Sequence, residues 1–186
     1  DNEKSIDELK ILLDSNSAIS YFTGPLDQKY FTGIDCIAIS PGVDLRNTIL
    51  KKIQKNNIPI INDLTLFSSE IDQKKTKIIA VTGTNGKTTV CTLLEYLFLE
   101  AGYKAKAAGN IGFPILDIEE LNSLDVLILE LSSFQLEIKH PIIFDIGMIL
   151  NITEDHMDRY DSFEEYASVK RKILNQSKNK VIWIDD

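Results

Sequence analysis

Two hydrophobic rhythms alternate along this chain. "SIDELKILLDSN" spaces Ile6, Leu9, Leu12 and Leu13 as one helical face, with Ser5 placed to cap it. "AISYF" and "CIAIS" are short strand-like runs. "LRNTILKKIQKNN" returns to helical spacing, "IPII" reads as a short buried strand, and "NDLTLFSSEI" as a short helix. "DQKKTK" then offers no apolar anchor, so a domain boundary is expected between Gln73 and Thr76. Beyond it, "KIIAV" predicts a strand and Lys87 to Ala101 a helix, with Gly102 as its C-terminal stop. "YKAKAAG" is a weak strand pattern, while "DVLILELS" and "FDIGMILN" are strong ones. "SFEEYASVKRKILNQS" predicts a helix capped by Ser162, with Glu165 completing a capping box, and "KVIWID" predicts a last strand. Strands alternating with helices imply parallel α/β sheets. Ligand sites in such sheets lie beyond the C-terminal strand ends.

Bulk properties narrow the picture. A chain of 186 residues suggests one or two domains, and 44% apolar with 26% charged residues is enough for a real core. The net charge of −8 argues against a nucleic-acid surface. No apolar run approaches the roughly 18 residues of a membrane span. Cys36 and Cys91 stand far apart with no C-x-x-C, which fits a reducing, cytoplasmic setting. The chain opens "DNEKSIDELK", with no Met and no signal-type region, and reads as the middle of a protein.

The strand ends carry the chemistry. "KIIAV" runs into Thr82-Gly83-Thr84-Asn85-Gly86-Lys87-Thr88-Thr89, with a helix directly behind. Glycines let backbone N–H groups turn inward, and those amides with the helix N-terminus make an anion site. Lys87 is placed to reach β- and γ-phosphates, and the Thr88 hydroxyl to ligate Mg²⁺. The general phosphate-loop pattern wants a glycine at Val81, so only the shorter G-x-x-G-K-T remains; an ordinary turn with a solvated lysine is the alternative. A second strand ends at Glu130, either a carboxylate for Mg²⁺ or a glutamate facing water. A third ends at Asn151 and leads to Glu154, Asp155, His156, Asp158 and Arg159; a loop histidine is as often merely exposed. "AAGNIGFP" adds Gly109, Asn110 and Gly112, which also suit a plain turn. His140 has no nucleophile partner, and Cys91 inside the helix suits packing. These residues point to Mg-dependent handling of a nucleotide phosphate and leave the acceptor open.

"VTGTNGKTTV", "GNIGFP", "LELSSFQLE" and "LNITEDHMDRYDSFEEYASVKRKIL" together resemble the Mur ligases of peptidoglycan synthesis, whose shortened phosphate loop explains Val81. "ELSSFQLE" followed by "NITEDHMDRY" resembles the branch that adds D-glutamate, and "SPGVD" with "IPIINDLTLF" fits the end of its N-terminal domain. The resemblance implies a partial Rossmann-like UDP-substrate domain over residues 1–74 and a partial P-loop ATPase-type parallel-sheet domain over 77–186, with the C-terminal domain absent. It implies ATP and two Mg²⁺ ions as cofactors, and UDP-N-acetylmuramoyl-L-alanine and D-glutamate as partners. An acyl phosphate on the muramoyl-alanine carboxylate is attacked by the amine. By the same resemblance, Gly83, Thr84, Asn85, Gly86, Lys87, Thr88 and Thr89 hold the nucleotide. Thr88, Glu130, His156 and Lys170 serve the metals, with Lys170 as a carbamate. Ser40, Pro41, Gly42, Asn110, Ser132 and His156 contact substrate. Without the resemblance, Lys170 reads as a solvated lysine, although it shares a helical stripe with Tyr166 and Leu174. The complete enzyme is expected to be a monomer with no nucleic-acid or membrane partner. The chain by itself is expected to be inactive. Another ligase of the superfamily, such as a folylpolyglutamate synthase, and a non-catalytic nucleotide-binding remnant are the alternatives.

Overall fold

The computed structural model describes Phe22 and residues 24–183. Among these, the residues up to Gly33 belong to one compact unit and those from Ile34 onward to a second. In the first, Asp27 caps a 3₁₀ turn at Gln28–Phe31, and Phe22 stacks on Tyr30 with ring centroids 4.1 Å apart. The helix expected after Ser5, and the strand expected over 18–22 except Phe22, lie outside the described residues.

The second unit opens with a parallel pair, β1 (Ile37–Ala38) and β2 (Ile60–Ile61), joined through α1 (Thr48–Lys55). Asn47 caps α1, and Leu50 and Ile53 bury its inner face. Next comes α2 (Asp63–Glu70), held by a reciprocal capping box between Asn62 and Thr65. A five-stranded parallel sheet follows, in the order β4–β5–β3–β6–β7. Its strands are β3 (Lys77–Thr82), β4 (Ala105–Gly109), β5 (Val126–Glu130), β6 (Phe144–Ile149) and β7 (Ser177–Ile182). The helices are α3 (Lys87–Glu100), the short α4 (Ser133–Glu137) and α5 (Phe163–Asn175). Ala101 caps α3, and Gly102 takes the left-handed φ of 85° that stops it.

Strand parity divides the core. Ile78 and Ala80 of β3 join Leu127 and Leu129 of β5 on the face covered by Tyr166, Val169 and Ile173 of α5. Ile79 and Val81 join Val126 and Ile128 on the face covered by Cys91 of α3. Both faces are dry, so β3 and β5 read as continuous apolar runs rather than alternating ones. Leu64 and Phe67 of α2 pack into the α5-side core. Across the expected boundary the chain makes a turn, with Lys75 and Thr76 donating to the Asp72 carbonyl. Thr76 is buried and bonds the Leu124 carbonyl at 2.9 Å.

Three local expectations change. Glu165 does not close a capping box on Ser162: its carboxylate takes the Asp161 N–H at 2.7 Å, while Ser162 accepts from Glu165 N at 3.2 Å. The last strand starts at Ser177, three residues before its expected start at Lys180, because an edge strand pairs its backbone without burying "SKNK". The segment after Glu130 turns into α4, which the strand reading of "DVLILELS" passed over. No helix among the described residues is long and apolar enough to cross a membrane.

One buried polar group has no support. His140 is 4% exposed, neither ring nitrogen has a hydrogen-bond partner among the described residues, and its ring lies against Phe144. Burial, aided by the positive charge of Lys172, lowers its pKa from 6.5 to about 4. The unfolded chain therefore binds the extra proton between those values. Stability from this group is complete above pH 6.5 and is lost as pH falls toward 4, by about 3 kcal/mol at most. In urea unfolding at pH 7, 5.5 and 4.5, His140→Phe is expected to lose less stability on acidification than the native sequence; parallel losses would mean that His140 is not held neutral.

Candidate active site

Register sets the floor of the site. Val81 of β3 and Gly109 of β4 both pair with Glu130 of β5, and Thr82 pairs with Ile149 of β6. The C-terminal ends of four strands are therefore level. The loop Gly83–Gly86 leaves β3 there, and α3 begins with Gly86 at φ 81° and no side-chain cap. An uncapped helix start leaves its first amides directed at whatever anion occupies the loop.

The loop is pinned from behind. Thr84 N donates to the Asn151 carbonyl at 3.0 Å and Asn85 N to Asn151 Oδ1 at 2.9 Å. Asn151 Nδ2 returns a bond to the Asn85 carbonyl at 3.0 Å, and Thr153 N donates to Thr84 Oγ1 at 3.0 Å. Thr84 and Asn85 thus spend their amides on anchorage, leaving the Gly86–Thr89 end of the loop for a ligand. Gly83 is needed for this fit: a Cβ there would press on Leu150 at 3.2 Å. The Lys87 ammonium folds back to the carbonyls of Gly83 at 3.0 Å and Thr84 at 2.9 Å.

Glu130 does not face water. It is 2% exposed, and strand parity turns it to the α3 face, where Thr88 Oγ1 donates to its Oε2 at 2.8 Å. Asn110 Nδ2 donates to Oε1 at 3.3 Å. The approach of β4 requires Gly109 at φ 110°, because a Cβ there would overlap the Glu130 carbonyl. Deeper in α3, burial and then the Glu130 charge push the Cys91 thiol up to about 12, which makes it inert packing.

On the other face, Lys170 of α5 is 2% exposed. Its ammonium donates to the Gly83 carbonyl at 2.9 Å and lies 4.8 Å over the Tyr166 ring. Burial foremost, then the Lys87 charge, lowers its pKa to about 8, against a smaller opposing pull from Asp155. Tyr166, read only as part of an apolar stripe, places its hydroxyl 3.2 Å from Thr84 Oγ1. His156 holds a positive φ of 54°, an uncommon state for a non-glycine residue, and donates its N–H to Asp155 Oδ1 at 2.9 Å. Its half-exposed ring lies 4.9 Å from Phe134. Among the described residues no hydrogen bond joins His156 to Glu130 or Lys170. Ser132 caps α4, accepting Gln135 N at 3.2 Å. Ser40, Pro41 and Gly42 form the turn after β1, closed by Val43 N on the Ser40 carbonyl at 3.0 Å.

Among the described residues no three His, Cys, Asp or Glu side chains converge as a ready-made metal cage. The pair of hard oxygens on Thr88 and Glu130 suits Mg²⁺, which keeps waters and substrate phosphates as its other ligands. Sequence reasoning missed Asn151 and Tyr166, whose partners are remote in the chain. A cue was available for α4 in the Ser132–Gln135 capping pattern.

Two family models match the chain: the Mur ligase middle domain over residues 81–186, and the Mur ligase MurD-like N-terminal domain over residues 1–62. The UDP-N-acetylmuramoylalanine–D-glutamate ligase of Nitrosomonas europaea is 43% identical over 166 residues, 85% of this chain and 35% of the relative. The enzyme of that name from Shewanella oneidensis is 38% identical over 175 residues, 94% of this chain and 40% of the relative. The chain thus spans between 35% and 40% of the length of these relatives. Among solved structures, UDP-N-acetylmuramate:L-alanyl-gamma-D-glutamyl-meso-diaminopimelate ligase from Neisseria meningitides shares the fold. Its TM-score is 0.55 at 15% identity, over 98% of this chain and 60% of that one. The MurF ligase from Thermotoga maritima in complex with ADP matches at TM-score 0.50 and 18% identity, over 84% of this chain and 38% of that one.

The two glycines of "GNIG" are not equivalent. Gly109→Ala meets both a positive φ and the Glu130 backbone, and is expected to cost about 2–4 kcal/mol in urea unfolding. Gly112 has no atom within 4 Å of its missing Cβ, so Gly112→Ala should stay within about 0.5 kcal/mol. Equal costs would contradict the close approach of β4 to Glu130.

Proposed function

The chain belongs to the Mur ligase family, and on that premise we propose that it forms the nucleotide-handling part of an ATP-dependent ligase adding D-glutamate to UDP-N-acetylmuramoyl-L-alanine. The observation that carries this reading is the Thr88–Glu130–Asn110 cluster beside the uncapped start of α3. Identity of about two residues in five to D-glutamate ligases supports the choice of substrates. Residues 1–74 belong to the UDP-substrate domain and 77–186 to the ATP domain. The setting is cytoplasmic peptidoglycan synthesis, and with it cell-wall growth, shape and division.

The chemistry follows from the positions. The amides of Gly86–Thr89 and the Lys87 ammonium receive the β- and γ-phosphates of ATP and neutralise charge as the γ-phosphoryl group moves to the substrate carboxylate. Lys87 then leaves the carbonyls of Gly83 and Thr84 for the phosphate. Thr88 and Glu130 hold one Mg²⁺. The ions, when bound, supply the positive charge that lets two anions approach. Asn110 orients Glu130, and with Ser132 borders the muramoyl-alanine arm, while Ser40, Pro41 and Gly42 face the UDP end. The amine of D-glutamate attacks the acyl phosphate, and phosphate leaves as the amide forms.

Lys170 is the residue whose state matters most. An ammonium cannot ligate a cation, so it fits a second Mg²⁺ site beside His156 only after modification. With its pKa lowered to about 8, a substantial fraction of the amine is neutral near pH 7.5. That amine can add to CO₂, forming an N–C bond and releasing a proton to give an anionic carbamate.

The reading is tested in the full-length protein by whether ADP release requires UDP-N-acetylmuramoyl-L-alanine and D-glutamate together. Consumption of a different amino acid would reassign the substrate within the family. Lys87→Ala is expected to lower turnover by on the order of 10³-fold. Lys87→Arg should not restore it, because a bulkier guanidinium fork replaces a point charge; near-normal kinetics in the arginine variant would remove Lys87 from the phosphate site. Lys170→Ala should nearly abolish turnover, and acetate should partly restore it. Wild-type activity of that variant in CO₂-depleted buffer would make Lys170 a purely structural lysine.

A further inference from the structure

Two arginines reach across one junction in opposite directions. Arg159, in the loop after β6, donates through Nη2 to the Val43 carbonyl at 2.9 Å and through Nη1 to the Gly42 carbonyl at 3.4 Å. The same guanidinium bonds Glu137 Oε2 of α4 at 3.1 Å and lies 4.4 Å from the Phe134 ring centroid. The other Glu137 oxygen takes the Tyr160 hydroxyl at 2.8 Å. Arg46 reaches back from the turn side. Asp44 grips it through both carboxylate oxygens, and its Nη2 donates to the Asp158 carbonyl at 3.0 Å.

The two ties differ in weight. Arg46 and its ion-pair partner Asp161 are solvent-facing, and such pairs contribute little. Arg159 and Glu137 are 10% and 12% exposed, so removing one leaves the other poorly solvated. Arg159 also presents several donors in one plane, which lets it serve two carbonyls and a carboxylate together; a lysine has one nitrogen. It joins three segments: the turn after β1, the helix capped by Ser132, and the loop that carries His156. Phe134 extends the connection, since its ring also meets the His156 ring.

We propose that Arg159 is a positioning residue that fixes the distance between the Ser40–Gly42 turn and His156, holding a two-ended nucleotide-acid substrate at its working length. This rests on the reading of that turn as the UDP contact and of His156 as lying near the reacting carboxylate. Arg159 bonds both positioning elements, its Nη1 the Gly42 carbonyl at 3.4 Å and its backbone N–H the His156 carbonyl at 2.8 Å. Its effect falls on ligands that span both ends and spares ligands that occupy one.

The test uses the full-length protein with Arg159→Lys and the milder Arg46→Ala, titrated calorimetrically with UDP-N-acetylmuramoyl-L-alanine and with UDP alone. Arg159→Lys is expected to weaken the two-ended substrate on the order of tenfold and to raise its KM in step. Affinity for UDP alone and KM for ATP should stay within about twofold, because neither ligand spans the junction. Arg46→Ala should move the same quantity in the same direction by less. Equal loss of affinity for UDP alone would mean that Arg159 only shapes the turn, and an unchanged KM for the two-ended substrate would mean that the span is set elsewhere; either result overturns the proposal. A wild-type protein that binds neither ligand would overturn the functional reading, and this inference with it.

Discussion

Two lysines donate to one carbonyl. Lys87 from the α3 face and Lys170 from the α5 face both bond Gly83 O, at 3.0 and 2.9 Å. Two cations on a single acceptor is an unfavourable ground state, and the charge of Lys87 is one cause of the lowered pKa of Lys170. It is relieved when either lysine leaves or loses its charge. Under the proposed function, a nucleotide phosphate would draw Lys87 away and carbamylation would make Lys170 an anion. On that proposal, the loop between β3 and α3 rests in a state that ligand binding and modification would both relieve.

That arrangement depends on the sheet. Parity in β3 sends Val81 to the α3 side and turns Thr82 toward α5, where its hydroxyl lies 3.5 Å from Lys170 Nζ. Parity in β5 sends Glu130 to Thr88. The anchoring of Thr84 and Asn85 by Asn151 then fixes the loop to the end of β6. Each contact follows from which face a strand residue takes, so a one-residue slip of β3 or β5 would scatter the site.

The readable parts of the fold share one property: their signal is local and apolar. The runs of β3, β5 and β6, and the helix after the phosphate loop, announced themselves because both sheet faces are buried. Glu130 was legible because an apolar strand ends at it. The start of β7 was not, since an edge strand can be polar, and α4 is too short for helical periodicity. Asn151, Tyr166 and Arg159 each make a tying contact, to Asn85, Thr84 and Val43, that lies 66, 82 and 116 positions away in the chain, which no local pattern encodes. The polar stretch after Ile71 lacks apolar residues of its own, yet Thr76 is buried there through side-chain bonds.

The most direct test is the metal dependence of nucleotide binding in the full-length protein, comparing the wild type with Glu130→Gln. If Thr88 and Glu130 are the protein's share of the Mg²⁺ site, adding Mg²⁺ should tighten binding of a non-hydrolysable ATP analogue to the wild type by about tenfold or more. The glutamine variant should keep the metal-free affinity, held by the α3 amides and Lys87, and lose most of that increment. An undiminished Mg²⁺ increment in Glu130→Gln would place the metal elsewhere and contradict the account.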